Sequence, residues 1–202
     1  MKVSVDYKII IVIGLLIIFG KIDLYFIFAV SIICHELVHI LIAKIMGFKL
    51  IELHFGIFGM SANIAFLGKV KVLSRVLFYI SGPLMNFFIA EVFKNINYEV
   101  TYINVALGIF NLLPIIPLDG GEILLELVKA FIGRDQASEI ILCFTKIFLF
   151  IISILYAAIL IEVKNIFLVF LLLYLWYLYY IEDEKWMLYK KARKCIKDIE
   201  IN

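Results

Sequence analysis

The sequence predicts an all-α membrane protein of about six transmembrane helices, with a short membrane-associated β-hairpin between the second and third. Three observations carry that prediction. Of the 202 residues, 65% are hydrophobic and 18% charged, with a mean hydropathy of +1.08; a soluble domain has about 45–50% and about 25%. Apolar runs near the roughly 20 residues that a spanning helix needs recur along the chain, separated by short charged connections. One of those connections, residues 48–68, alternates apolar and polar residues in the manner of a strand.

The expected spans follow in order. Ile9–Gly20 is the first and is short for a crossing. Lys2 and Lys8 precede it as in a signal peptide, but no small-x-small cleavage site follows, so it reads as an uncleaved span. The second is Leu24–Met46 and the third Val76–Phe93. The fourth is Val100–Leu118, with no formal charge before Asp119. The fifth lies within Ile140–Ile161, interrupted by Lys146, and the sixth is Asn165–Ile181.

Between the second and third spans, Ile51, Leu53 and Phe55 alternate with Glu52 and His54, a period of two. Gly56 and Gly59 supply turn chemistry before a second extended stretch. Such backbone persists at membrane depth only where protein or a wet cavity covers it. The chain therefore reads as one membrane domain over residues 1–181 and a short basic cytosolic tail over 182–202. With Trp186 and Tyr189, that tail is expected to form a short helix at the lipid headgroups.

Six spans put both termini on one side. That side receives Lys2, Lys8, the basic residues between the second and third spans (Lys44, Lys49, Lys69, Lys71, Arg75), Lys129, Arg134 and the lysine-rich tail. The other side receives Lys21, Lys94 and Lys164. The positive-inside rule makes the termini cytosolic. Three scattered cysteines, Cys34, Cys143 and Cys195, argue against a disulfide framework. The lipid bilayer is the expected environment, and no nucleic-acid partner is expected.

The second span contains His35-Glu36-Leu37-Val38-His39, an H-E-x-x-H pattern. Residues i and i+4 share a helix face, so two imidazoles can grip one metal ion. Glu36 lies about 60° around the helix from His39 and borders that face. Zinc suits two imidazoles and one oxygen ligand, with a fourth position left for water. Glu36 is then placed to act as general base and to return the proton to a leaving amide nitrogen. A purely structural polar network is the alternative, but a charged group at mid-membrane costs about 2.5–3.5 kcal/mol, and such groups are functional by default.

The candidates for a third ligand are Glu52, His54, Glu91, Asp119, Glu122 and Asp135. Asp119 ends the polar-poor run in "NLLPIIPLDGG", where Pro114 and Pro117 interrupt the helix and Gly120-Gly121 free the backbone. It also reads as the cap of a following helix at Glu122–Ile132. Beside H-E-x-x-H, the ligand role is preferred. Two asparagines in apolar helix, Asn86 and Asn111, read either as interhelical hydrogen-bonders, worth about 0.6 kcal/mol, or as donors to a substrate carbonyl. Asn111, next to the Asp119 turn, is the stronger substrate-binding candidate. Gly82-Pro83 reads as a close-packing point.

Taken together, "HELVH", "SGPLMN" and "NLLPIIPLDGG" resemble the site-2 protease family of intramembrane zinc metalloproteases. The resemblance covers roughly residues 24–130. It implies a Zn2+ ion held by His35, His39 and Asp119, with Glu36 as catalytic base, and hydrolysis of a peptide bond in a membrane-associated protein substrate. Within the family, the wording looks most like the stage IV sporulation protein FB group. That likeness implies a bacterial cell membrane, a sigma-factor precursor as substrate and membrane inhibitor proteins as further partners. Neither a PDZ insert nor the cytosolic CBS domain common in that group is seen in this sequence. The rival reading is a non-enzymatic metal transporter or metal-binding protein, which would string ligands along several spans.

Overall fold

The computed structural model describes residues 2–5, 22–56, 59–65, 70–163 and 166–201. The expected first span, Ile9–Gly20, lies outside them. The chain divides into two compact units, Met1–Leu112 and Leu113–Asn202.

The first unit contains β1 (Lys2–Val5), α1 (Ile22–Ile45), β2 (Lys49–Gly56), β3 (Gly59–Ala65), α2 (Val72–Phe93) and α3 (Tyr98–Asn111). The strands form one sheet in the order β1-β2-β3. β3 runs antiparallel to β2, with Leu53 opposite Ala62. β1 runs parallel to β2, with Lys2 opposite Glu52 and Val5 opposite Phe55. That N-terminal strand has no counterpart in the sequence reading, because four residues carry too little pattern to identify a strand.

The turn from α1 into β2 is built by Gly47, whose φ of 72° is left-handed. The Phe48 N–H donates to the Ala43 carbonyl (2.8 Å) and the Gly47 N–H to that of Lys44 (3.2 Å). This is the paired-bond ending that glycine favours at a helix C-terminus. It delivers Phe48 into a small core with Ala43 and Phe78. At the start of α3, the Asn97 side chain accepts from the Val100 N–H (3.0 Å) and caps the helix.

α1 and α2 are inside-out compared with the helices of a soluble protein. Ser31, His35, His39 and Ala43, four residues apart, are buried, while Leu37, Leu41 and Ile45 on the opposite side are 52%, 54% and 70% exposed. On α2, Ser81, Gly82 and Asn86 face inward, and Leu73, Leu77, Leu84 and Phe88 face out. Polar groups inside and leucines outside is the arrangement a lipid solvent selects. Among the described residues, three helical segments are long and apolar enough to cross a membrane: Asp23–Ile45, Val72–Phe93 and Arg134–Ala158. They mark an integral membrane protein.

The expected fourth span, Val100–Leu118, is corrected. α3 stops at Asn111 after 14 residues, about 21 Å at 1.5 Å per residue, against a hydrocarbon core of about 30 Å. Pro114 disfavours helix for Leu113 and donates no N–H, so the chain leaves the helix before it.

The second unit opens with the turn 113–118, in which the Ile116–Pro117 bond is cis. Then come α4 (Asp119–Ile132), α5 (Arg134–Val163) and α6 (Ile166–Ile201). α4 begins three residues before the expected Glu122. Its N-cap is Leu118, which makes no side-chain cap, so Asp119 stands just inside the first turn. Gly133, at φ 84°, joins α4 to α5. The core of this unit is Ile116, Leu125, Ala137 and Ile141.

Residues 182–201 do not form a separate short helix: α6 continues without a break to Ile201. No Gly or Pro interrupts it, and a Glu182–Lys185 pair three residues apart supports the helix past the apolar stretch. Arg193 and Lys190 of α6 form ion pairs with Asp135 and Glu139 of α5. No two of the cysteines Cys34, Cys143 and Cys195 form a disulfide.

Candidate metal centre

The helical repeat puts His35 and His39 one turn apart on the inward face of α1. Both are buried, 5% and 4% exposed. Their Nε2 atoms approach to 3.2 Å, and the rings meet edge-on, with centroids 4.8 Å apart and planes at 77°. Glu36, next along the helix, is half-buried.

The other ring nitrogens fix which atoms can bind a metal. His39 Nδ1 lies 2.9 Å from the Phe78 carbonyl oxygen, which can only accept, so Nδ1 carries the proton. Ser81 Oγ also donates to that carbonyl (2.6 Å) and lies 3.3 Å from His39 Nδ1. His35 Nδ1 donates to Asn86 Oδ1 at 2.6 Å. Each neutral imidazole then bears its lone pair on Nε2, and the two Nε2 atoms are the ones that face each other.

Two lone pairs 3.2 Å apart repel, and a cation shared between them removes the repulsion. Tetrahedral zinc with bonds of about 2.0–2.1 Å holds two nitrogen ligands about 3.3 Å apart. The observed pair therefore fits zinc. An imidazole ligand whose second nitrogen donates to a carbonyl or amide is the usual outer arrangement of such sites.

Gly82 closes one side of the pair. A Cβ there would lie 2.3 Å from His39 Nε2 and 2.5 Å from His35 Nε2. No residue but glycine lets α2 pass this close to the ring nitrogens. Pro83 follows it inside the helix and is fully buried.

Asn86 is completely buried, with Oδ1 on His35 and Nδ2 donating to Asn104 Oδ1 at 3.0 Å. Asn111 is the last residue of α3, and its Nδ2 donates to the Leu107 carbonyl at 3.0 Å. Asp119 belongs to the second unit, half-buried at the start of α4. The backbone around it is tightly held: a Cβ on Gly121 would lie 2.4–2.5 Å from the Ile115 carbonyl group.

Of the other acidic candidates, Glu91 pairs with Lys94 and Asp135 with Arg193, both partly exposed. Glu52 and His54 lie on β2. Sequence reasoning missed Ser31 and Asn104. Both left a signal: Ser31 continues the four-residue stripe of His35 and His39, and Asn104 is an amide in an apolar run, as Asn86 is.

Comparison with known proteins agrees with this chemistry. The model of Peptidase family M50 matches residues 91–155. A zinc metalloprotease of Methanocaldococcus jannaschii is 31% identical over 130 residues, covering 58% of this chain and 38% of that protein. The chain thus spans well under half the length of that curated relative. The solved structure of a site-2 protease from Methanocaldococcus jannaschii matches with a TM-score of 0.69 and 26% identity, over 90% of this chain and 91% of the other.

Proposed function

We propose that the chain is an intramembrane zinc metalloendopeptidase of the site-2 type, cutting a peptide bond of a membrane-associated protein. The observation that carries the reading is the convergence of His35 and His39 Nε2 at 3.2 Å, with both Nδ1 atoms committed as donors. The likeness to a zinc metalloprotease and to a site-2 protease structure supports the same chemistry.

In this account His35 and His39 hold zinc through Nε2, and Asp119 supplies the oxygen ligand that α1 lacks. When bound, zinc supplies Lewis-acid polarisation of the scissile carbonyl and a lower pKa for the attacking water. Glu36 takes the proton from that water and delivers it to the leaving amide nitrogen. Asn111 binds the substrate backbone. Asn86 is corrected as a substrate-binding residue: it is wholly buried, with Oδ1 on His35 and Nδ2 on Asn104, and does not reach a substrate. The substrate presents extended backbone, since a helix hides its amides. The β2–β3 hairpin, associated with the membrane surface, offers main-chain groups for strand addition.

The finer reading rests on the distribution of Lys and Arg and on the wording of "NLLPIIPLDGG". It gives a multi-pass protein of a bacterial cell membrane with cytosolic termini, in the stage IV sporulation protein FB group. Its substrate is then a sigma-factor precursor, and membrane inhibitor proteins restrain it.

The test is reconstitution in lipid vesicles with membrane-tethered candidate substrates. Cleavage that stops on chelation and returns with added zinc is expected. Zinc flux across the vesicle membrane without cleavage of any substrate would instead support the transporter.

A further inference from the structure

The chemistry above uses the two histidines but leaves unexplained the polar groups buried behind them. Ser31, Asn86 and Asn104 are 4%, 0% and 0% exposed. A buried polar group without a partner is destabilising, so three together in an apolar bundle must be mutually satisfied. Their hydrogen bonds form one directed chain across α1, α2 and α3.

The direction is set at Val100. Its carbonyl oxygen can only accept, so the Asn104 atom 2.9 Å away must be Nδ2. The second Nδ2 proton goes to Ser31 Oγ at 2.9 Å. Ser31 in turn donates its own proton to the Ile27 carbonyl at 2.8 Å. Asn104 therefore turns Oδ1 to Asn86, and Asn86 must answer with Nδ2, at 3.0 Å. That leaves Asn86 Oδ1 facing His35, so His35 keeps its proton on Nδ1 and its lone pair on Nε2.

The two histidines thus reach the same tautomer by different means. His39 is set by a backbone carbonyl, that of Phe78, which cannot turn round. His35 is set by a side-chain amide, and an amide rotated by 180° would present Nδ2 instead. The ring would then have to accept at Nδ1 and carry its proton on Nε2, the atom that binds metal. The Oδ1 of Asn104 is what distinguishes the two orientations.

We infer that Asn104, anchored by Val100 and Ser31, is a positioning residue that holds His35 in its metal-binding tautomer through Asn86. The inference rests on the zinc reading of His35 and His39. Outer groups of this kind are worth about 10–100-fold in metal affinity.

The experiment measures zinc affinity by chelator competition on the full chain in lipid nanodiscs. Asn104→Leu keeps the γ-branched shape and removes the oxygen; its affinity is expected to fall about 10–100-fold. Asn86→Asp combined with Asn104→Leu puts an oxygen toward His35 in either orientation, so affinity is expected to recover toward wild type. Wild-type affinity in Asn104→Leu overturns the inference. A double variant no tighter than Asn104→Leu also overturns it, since the loss is then one of packing. His35→Ala tests the underlying reading: it is expected to lose the zinc, and unchanged affinity there would sink the zinc site itself.

Discussion

Gly82→Ala adds one methyl group to the wall of the proposed zinc site. Its Cβ would start 2.3 Å from His39 Nε2 and 2.5 Å from His35 Nε2 and Cε1. Ordinary contact begins near 3.4 Å, so helix and rings must separate by about 1 Å. Zinc–ligand distances tolerate about 0.2 Å, and the rings are pinned from behind at Phe78 and Asn86. Overpacking a tight interior costs about 1–3 kcal/mol. Levied on the metal-binding arrangement, that is a loss of about 5- to 150-fold in zinc affinity. Alanine is the better helix former by about 1 kcal/mol, so a weak backbone is not the cause of any loss. Gly108→Ala is the control: its Cβ meets the Phe87 ring at 2.8 Å, between α3 and α2 and away from the imidazole nitrogens. Chelator competition should show Gly82→Ala weakened at least several-fold and Gly108→Ala near wild type. Equal, wild-type affinity in both would refute the geometry described for Gly82.

Asp119→Ala should leave the two imidazoles in place but lower zinc retention through purification by at least tenfold; full metal content measured by elemental analysis would rule out Asp119 as a ligand. Gly121→Ala drives a methyl into the Ile115 carbonyl at 2.4–2.5 Å. Backbone cannot step aside as a side chain can, so the variant should lose about 1–3 kcal/mol, seen as a lower midpoint of thermal unfolding. If strand addition at β3 holds the substrate, proline replacing Ala62 or Ile64 should slow cleavage with zinc content unchanged. Turnover at the wild-type rate with both would remove the hairpin from substrate binding.

The proposed metal-binding face was legible because it follows from a single periodicity. His35 and His39 are four apart, and a helix in lipid must turn such groups inward. The same rule reaches Ser31, which lies one further turn back. The polar groups behind the histidines are harder to place. Asn86 and Asn104 come from helices whose relative rotation no single-sequence pattern fixes, so nothing in the sequence says that their amides meet. Asn111 resembles them in sequence, yet its amide bonds its own helix at Leu107. Helix ends follow local breakers rather than the length of an apolar run: Pro114 ends α3 early, and the absence of Gly or Pro after Ile166 lets α6 run on through the charged tail. The sequence marks Gly82 as a close-packing point, but what it packs against, the Nε2 atoms of His35 and His39, emerges only from the crossing of α1 and α2.

Glu36 carries the proposed chemistry. Replacing its carboxylate by the amide of Gln preserves shape and removes the base. The decisive measurement is zinc content and cleavage of a membrane-tethered substrate in the same purified Glu36→Gln sample. Retained zinc with cleavage reduced by a factor on the order of 10²–10⁴ is the expected result. Cleavage at the wild-type rate would contradict the proposed mechanism.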